Sequence, residues 1–420
     1  MKQTTAGAWR VAHIGLAPHR LGFFLAMLVL IASALWWALV QWSRASGALL
    51  VAQTMPAVVV HSAVMCFGFF PLFFSGFLFT AGPRWLNVEP LSVRAVAPPL
   101  LLQATGWLLW LVGSMGVTAV AWVGVALACA GLSWMTWRFL QLVRASKAKD
   151  QIHGRTVALA LVLGSISLAG FAVALVLGRF DLTRAWVFTA LWGSIGVVYV
   201  VVAHRMIPFF TSSALPMLDA WRPFWVLWLM LAAMALKVLE IWLALWLPYG
   251  TVRTVWAACS GSLQLAAGVA LLWLAFRWGM VQSLRNRLLA MLHIGFSWIG
   301  LAFVLSGTVQ WASIFGSVAS WENAALHAFT MGALGSLLVA MVTRVSCGHS
   351  GRLLHADQLA FGMFCLLQVA VVVRVLGALD GSIGAWLLAA AATLWTIVMT
   401  LWGARLCSWY GRPRVDGRPG

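Results

Sequence analysis

Four histidines stand out in a chain with few titratable groups: His61, His293, His327 and His349. Neutral imidazole is a common metal ligand and suits iron, copper and zinc. His61 and His327 are each followed four residues later by a methionine, Met65 and Met331. On an α-helix that spacing puts both side chains on one face. A thioether is a soft ligand, suited to Cu(I) or haem iron. Each residue also has a plainer reading, as a hydrogen-bonded or packing side chain. A second group, Arg344, His349 and Arg352, closes the stretch HAFTMGALGSLLVAMVTRVSCGHSGR at residues 327–352. Guanidinium and imidazole together suit an anion such as a haem propionate or a lipid phosphate. Ordinary anchoring at a membrane surface explains the same residues equally well.

The elements that position these residues follow from composition. The chain has 420 residues, 63% hydrophobic and 9% charged. That balance points to an all-α, polytopic membrane bundle. A hydrocarbon core of ~30 Å needs about 20 apolar residues per helix. Twelve such runs are readable, at 21–42, 56–81, 98–114, 117–138, 156–178, 184–203, 223–247, 253–276, 287–308, 322–343, 357–378 and 383–404. They are continuous rather than alternating, which excludes a β-barrel. No linker separates soluble domains, so residues 1–420 read as a single membrane domain. Residues 1–20 form its N-terminal segment and residues 405–420 a basic tail. Small residues Gly332, Ser336 and Ala340 lay a flat strip along the tenth span, suited to close helix packing.

The formal net charge of +18 does not indicate nucleic acid, because of where the charges fall. With the N-terminus inside, the inner segments carry 21 Lys and Arg and the outer loops 5, with Lys237 inside a span. The positive-inside rule then puts both termini in the cytoplasm of a multi-pass protein. On that topology His61 and His327 lie near the outer ends of spans two and ten. His293 enters from the cytoplasmic side, about 10 Å deep. His327 and His349 are separated by about 33 Å of helix and cannot share a metal.

The first apolar run is long enough to remain as a helix, so no removable signal peptide is expected. The six cysteines form no C-x-x-C pair, which argues against a disulfide framework or a thiolate metal site. Phosphate loops, hydrolase elbows, nucleotide fingerprints and HExxH are absent. Lys237 and Glu240, spaced i, i+3, either neutralise each other or contribute to a proton path. Glu322 reads as a proton-delivering group near His327 or as a carboxylate favoured at a helix N-terminus. Pro208, in VAHRMIPFFTSSALP, is expected to end or kink its helix after Arg205.

Several blocks together resemble the NnrS family, bacterial membrane proteins that carry haem and copper and protect against nitric oxide. The strongest is His327-A-F-T-Met331-Gly332-A-L-Gly335 with Met341-V-T-Arg344 and Gly348-His349-S-Gly351-Arg352. Arg205-M-I-Pro208-Phe209-Phe210-Thr211 is similar to the family's RxIPFFT motif, and Leu292-His293-I-Gly295-F to its LHxGY-like segment. His61 and Met65, with the block from Phe67 to Trp85, match the second-span motif. His19-Arg20 with Phe23-Phe24 resembles the N-terminal FRPFF-like block, with changes. These blocks run from residue 18 to residue 352. The chain departs from the pattern in the second span, where relatives often read H-A-H-E-M. Here the sequence is His61-Ser62-Ala63-Val64-Met65, so one histidine and one glutamate are missing.

The resemblance implies a haem protein of the bacterial inner membrane that takes nitric oxide as ligand or substrate, with copper as a further metal. It brings forward His61, His293, His327 and Met65 as metal ligands. His349, Arg344, Arg352 and Arg205 accompany them as cofactor-binding residues. The electron donor, and whether nitric oxide is turned over, stay open. A secondary transporter built from six plus six helices is the alternative reading.

Overall fold

The computed structural model describes residues 8–49, 51–316, 319–379 and 383–417, and among these the regular structure is entirely helical. Among the described residues, twelve helices are long and apolar enough to cross a membrane. They are α1 (Pro18–Ser46), α2 (Ala57–Leu86), α3 (Val93–Met115), α4 (Thr118–Arg144), α5 (Ile152–Val176) and α6 (Phe180–Ala214). The rest are α7 (Phe224–Trp246), α8 (Thr251–Arg277), α9 (Arg287–Phe315), α10 (Trp321–His349), α11 (Gln358–Leu379) and α12 (Gly384–Tyr410). Most overrun the apolar stretches at one or both ends. A helix satisfies its own backbone and continues past the hydrocarbon until something stops it. The stops are legible: Gly47 (φ 74°) ends α1 and Asn87 (φ 52°) ends α2, both in left-handed conformation. At the start of α9, the Asn286 side chain accepts from the amides of Leu288 and Leu289.

Proline does not act as a stop here. The helix expected to end or kink after Arg205 does not end there; it runs through Pro208 to Ala214. Membrane helices tolerate proline where neighbouring groups serve the carbonyl it leaves without a partner.

The fold divides into two compact units, Met1–Val198 with Val345–Leu354 and Met399–Gly420, and Tyr199–Arg344 with His355–Val398. In the first unit α1 packs on α2 and α3, and α4 on α3 and α5. Glycines set the closest approaches. A Cβ on Gly22 of α1 would lie 2.7 Å from Gly76 Cα of α2. One on Gly106 of α3 would lie 2.5 Å from the Gly124 carbonyl of α4. Trp107 and Trp110 of α3 are fully buried in this unit. In the second unit α9 packs against α8, α10 and α11. The small-residue strip of α10 is a packing surface, as its spacing suggested. Trp298 of α9 covers Gly332, and Gln368 of α11 donates to Ser336 Oγ at 2.9 Å.

Among the described residues, three helices contain a π-helical turn: α2 at Val64–Gly68, α6 at Leu191–Gly196 and α10 at Ala328–Gly335. Such turns are rare and concentrate at functional sites. The turn in α2 precedes Pro71, which has no N–H to offer the Phe67 carbonyl four residues back. Gln103 of α3 supplies the missing donor, its Nε2 2.8 Å from Phe67 O. Trp110 Nε1 donates to Val60 O at 3.3 Å, one turn before the π segment. The widened turn is thus bracketed by two side-chain donors from one neighbouring helix. Gln103→Leu keeps the volume and removes a donor. We expect it to cost about 1–3 kcal/mol, read as a lower unfolding midpoint in detergent.

Candidate functional site

The histidines lie at four locations. His61, in α2, stands three residues before the π turn. Its ring stacks on Trp37 of α1, with centroids 3.8 Å apart and planes 12° from parallel. The Arg44 guanidinium also lies over the Trp37 ring, at 5.4 Å. Stacking fixes the plane of the imidazole and leaves its nitrogens on the edge, where a metal would approach. Met65 falls inside the π turn, so the α-helical argument that places it on the face of His61 does not apply unchanged.

His327, in the second unit, immediately precedes the π turn of α10. Its Nδ1 is 2.8 Å from the carbonyl of Asn323. A carbonyl only accepts, so Nδ1 carries the proton, and in the neutral ring the lone pair is on Nε2. A hydrogen bond of this kind orients a ligand histidine and raises its basicity. Glu322 is exposed in the first turn of the same helix, where the macrodipole favours a carboxylate.

His293, on α9, is fully buried. Its Nε2 is 2.9 Å from Thr211 Oγ1 of α6, while its Nδ1 has no hydrogen-bond partner. The preceding residue, Phe210, carries the Arg344 guanidinium over its ring at 3.9 Å. The RxIPFFT-like segment therefore touches both His293 and Arg344. Arg205 lies on the same helix, α6, half-buried.

His349 ends α10 in the first unit, and it meets a residue that spacing did not single out. Its ring lies 4.3 Å from that of His19, at the start of α1. Those positions belong to the N-terminal block and the last block of the sequence, brought together from 330 residues apart. Arg20, Arg84 and Arg414 all lie within electrostatic range of His349. Arg414 donates to the His349 carbonyl at 3.1 Å and to both oxygens of Asp416 at 2.9 and 2.6 Å. The Asp416 hydrogen bond raises the Arg414 guanidinium above its ordinary range. Arg352 stacks over Trp409 at 4.3 Å. Burial lowers its guanidinium below the usual range; Cys347 opposes that shift, and the charges of Arg412, Arg405 and Arg20 reinforce it.

Of the group Arg344, His349 and Arg352, only the last two fall in the first unit; Arg344 is held by Phe210 in the second. The His19–His349 rings are in van der Waals contact, which leaves no room for an iron atom between them. Among the described residues no three His, Cys, Asp or Glu side chains converge as a metal cluster would.

Lys237 and Glu240 neutralise each other, and more. Lys237 Nζ lies 2.6 Å from Glu240 Oε2 and 2.9 Å from Ser306 Oγ, and also reaches Gln264 Oε1 at 3.3 Å. Gln264 donates to Glu240 Oε2 at 3.1 Å, and Gln310 donates to Oε1. The pair ties α7 to α8 and α9. The polar residues were visible in the sequence as interruptions of apolar spans. Their convergence was not, because it depends on the rotation of three helices. Lys237 is only 9% exposed. Glu240→Ala would strand its ammonium, and we expect a loss of about 3–5 kcal/mol in thermal unfolding. Joint replacement, Lys237→Met with Glu240→Leu, should recover much of it.

A family model described as NnrS protein matches residues 14–414, nearly the whole chain. No curated protein matches the sequence.

Proposed function

The chain belongs to the NnrS family, and from that premise we propose that it is a haem-binding membrane protein of the nitric oxide response. Membership in the family fits the nitric oxide response. The haem reading rests on the histidines. The observation that carries it is the Nδ1–H of His327 donating to Asn323 O beside a π turn. That bond presents the imidazole in the tautomer that ligates through Nε2.

The donor set fits a haem. His327 is the iron ligand we favour. His61 with Met65 and His293 remain in the candidate set, since both rings are held in place, by Trp37 and Thr211. The buried Nδ1 of His293, without a partner, is the kind of orphaned polar atom that a bound group would satisfy. Arg344 and Arg205, in the same unit as His293, are the guanidinia we assign to the acidic groups of a cofactor held at that histidine; Arg344 stands about 25 Å of helix from His327 and does not serve a group bound there. Ferrous haem, when bound, supplies an iron that takes nitric oxide as a ligand. The protein's part is to fix the imidazole plane, exclude water with aromatic and aliphatic side chains, and hold the guanidinia near the membrane surface. No residue set is assigned to copper, because no suitable cluster converges among the described residues.

The six-plus-six transporter alternative loses support from the position of the π turns. They occur in α2, α6 and α10, a period of four helices. A six-helix repeat would pair α2 with α8 and α10 with α4, and both of those are uninterrupted α-helices.

Purified protein should show a Soret band that shifts when nitric oxide is added. His327→Ala should weaken the band most. An unchanged band in His327→Ala, His61→Ala and His293→Ala alike would remove the ligand assignment.

A further inference from the structure

The end of the first unit that carries the His19–His349 pair has a chemistry of its own. Five segments converge there: the start of α1, the end of α2, the end of α10, the turn after it, and the C-terminal tail. They bring together Arg20, Arg84, Arg352, Arg414, His19 and His349. Part of this array is structural. Arg20 Nη1 donates to the carbonyls of Arg412 at 2.9 Å, Tyr410 at 3.2 Å and His13 at 3.4 Å, and so ties the tail to α1. Arg414 is paired with Asp416.

Two polar atoms are not accounted for in this way. His19 is 4% exposed and its Nδ1 has no partner. Arg352 Nη1 is buried and also has none. Buried groups in a finished structure are nearly always satisfied. Two orphaned atoms in one cationic cluster therefore call for a ligand. The first turn of α1 adds to the field. Its N-cap, Ala17, provides no side-chain cap, and a helix N-terminus favours negative charge.

The sign of the ligand follows from Coulomb's law. A metal cation among these guanidinia would be repelled, whereas an oxyanion would relieve their mutual repulsion. Guanidinium in particular pairs with the oxygens of phosphate. We propose that this cluster is a binding site for a phosphate-class oxyanion, with Arg352 and His19 as direct donors and Arg84 at its open edge. The phosphate is either a free anion or the headgroup of an anionic phospholipid. The site stands apart from the haem reading, since it needs neither His61 nor His327.

The test uses the full-length protein in detergent and in lipid nanodiscs. Inorganic phosphate is titrated against chloride at matched ionic strength, with the unfolding midpoint as readout. In parallel, native mass spectrometry follows retention of phosphatidylglycerol against phosphatidylcholine. Arg352→Gln and His19→Asn are compared with wild type, and Arg277→Gln in the second unit, an exposed guanidinium over Trp221, serves as control. Circular dichroism checks that each variant is folded.

We expect a saturable response in one arm, which identifies the source of the phosphate. Arg352→Gln should weaken it about tenfold, the equivalent of one charge-assisted hydrogen bond, while Arg277→Gln leaves it unchanged. No saturable response in either arm would overturn the proposal. So would equal weakening by Arg277→Gln, or a response that appears only when haem is loaded. That last result would assign the guanidinia to the haem propionates.

Discussion

In hydrocarbon, a backbone carbonyl without a donor has no water to turn to. That constraint shapes the helices near the histidines. A π turn shifts the hydrogen-bond register, and a proline deletes a donor outright. In α2 both occur within eight residues, and α3 answers with Gln103 and Trp110. The helices are therefore locked in rotation as well as in distance. His61 gains a fixed position from this lock, four residues before Met65 and stacked on Trp37. In α10 the Trp298–Gln368–Ser336 chain packs against the turn that follows His327. Irregular helix geometry is retained at these places, with compensation from neighbours, beside the side chains suited to chemistry.

The same constraint governs buried charge. Lys237 and Glu240 remain inside the membrane-spanning region because Gln264, Ser306 and Gln310 complete their hydrogen bonding. With every partner satisfied, the network reads as a clamp on α7, which otherwise buries little of its surface. The Arg20 guanidinium performs a comparable task in the first unit, gathering three carbonyls of the N-terminal segment and the C-terminal tail.

Helix number and approximate position were legible in the sequence, since length and hydropathy alone determine them. The strip Gly332, Ser336, Ala340 announced a packing face, and α9 and α11 meet it at Gly332 and Ser336. The chemistry was only half legible. Imidazoles inside apolar spans were visible; the atoms that orient them were not. Asn323 contributes to His327 through its carbonyl, which no side-chain motif encodes. Trp37 is one of 27 tryptophans and bears no mark in sequence of lying over His61. The pairing of His19 with His349 depends on two blocks 330 residues apart. A clue existed, because both blocks belonged to the same family resemblance, but spacing could not join them. The His-x-x-x-Met motif was weakened for a reason of local geometry: an α-helical register was assumed where the helix is π.

Family membership and an oriented imidazole on α10 both bear on one claim, that His327 Nε2 holds iron. Resonance Raman spectroscopy of the haem-loaded ferrous protein tests it most directly. An iron–imidazole stretching band should be present in the wild type, vanish in His327→Ala, and return when free imidazole is added to that variant. A band that persists unaltered in His327→Ala would contradict the assignment and move the ligand to another histidine.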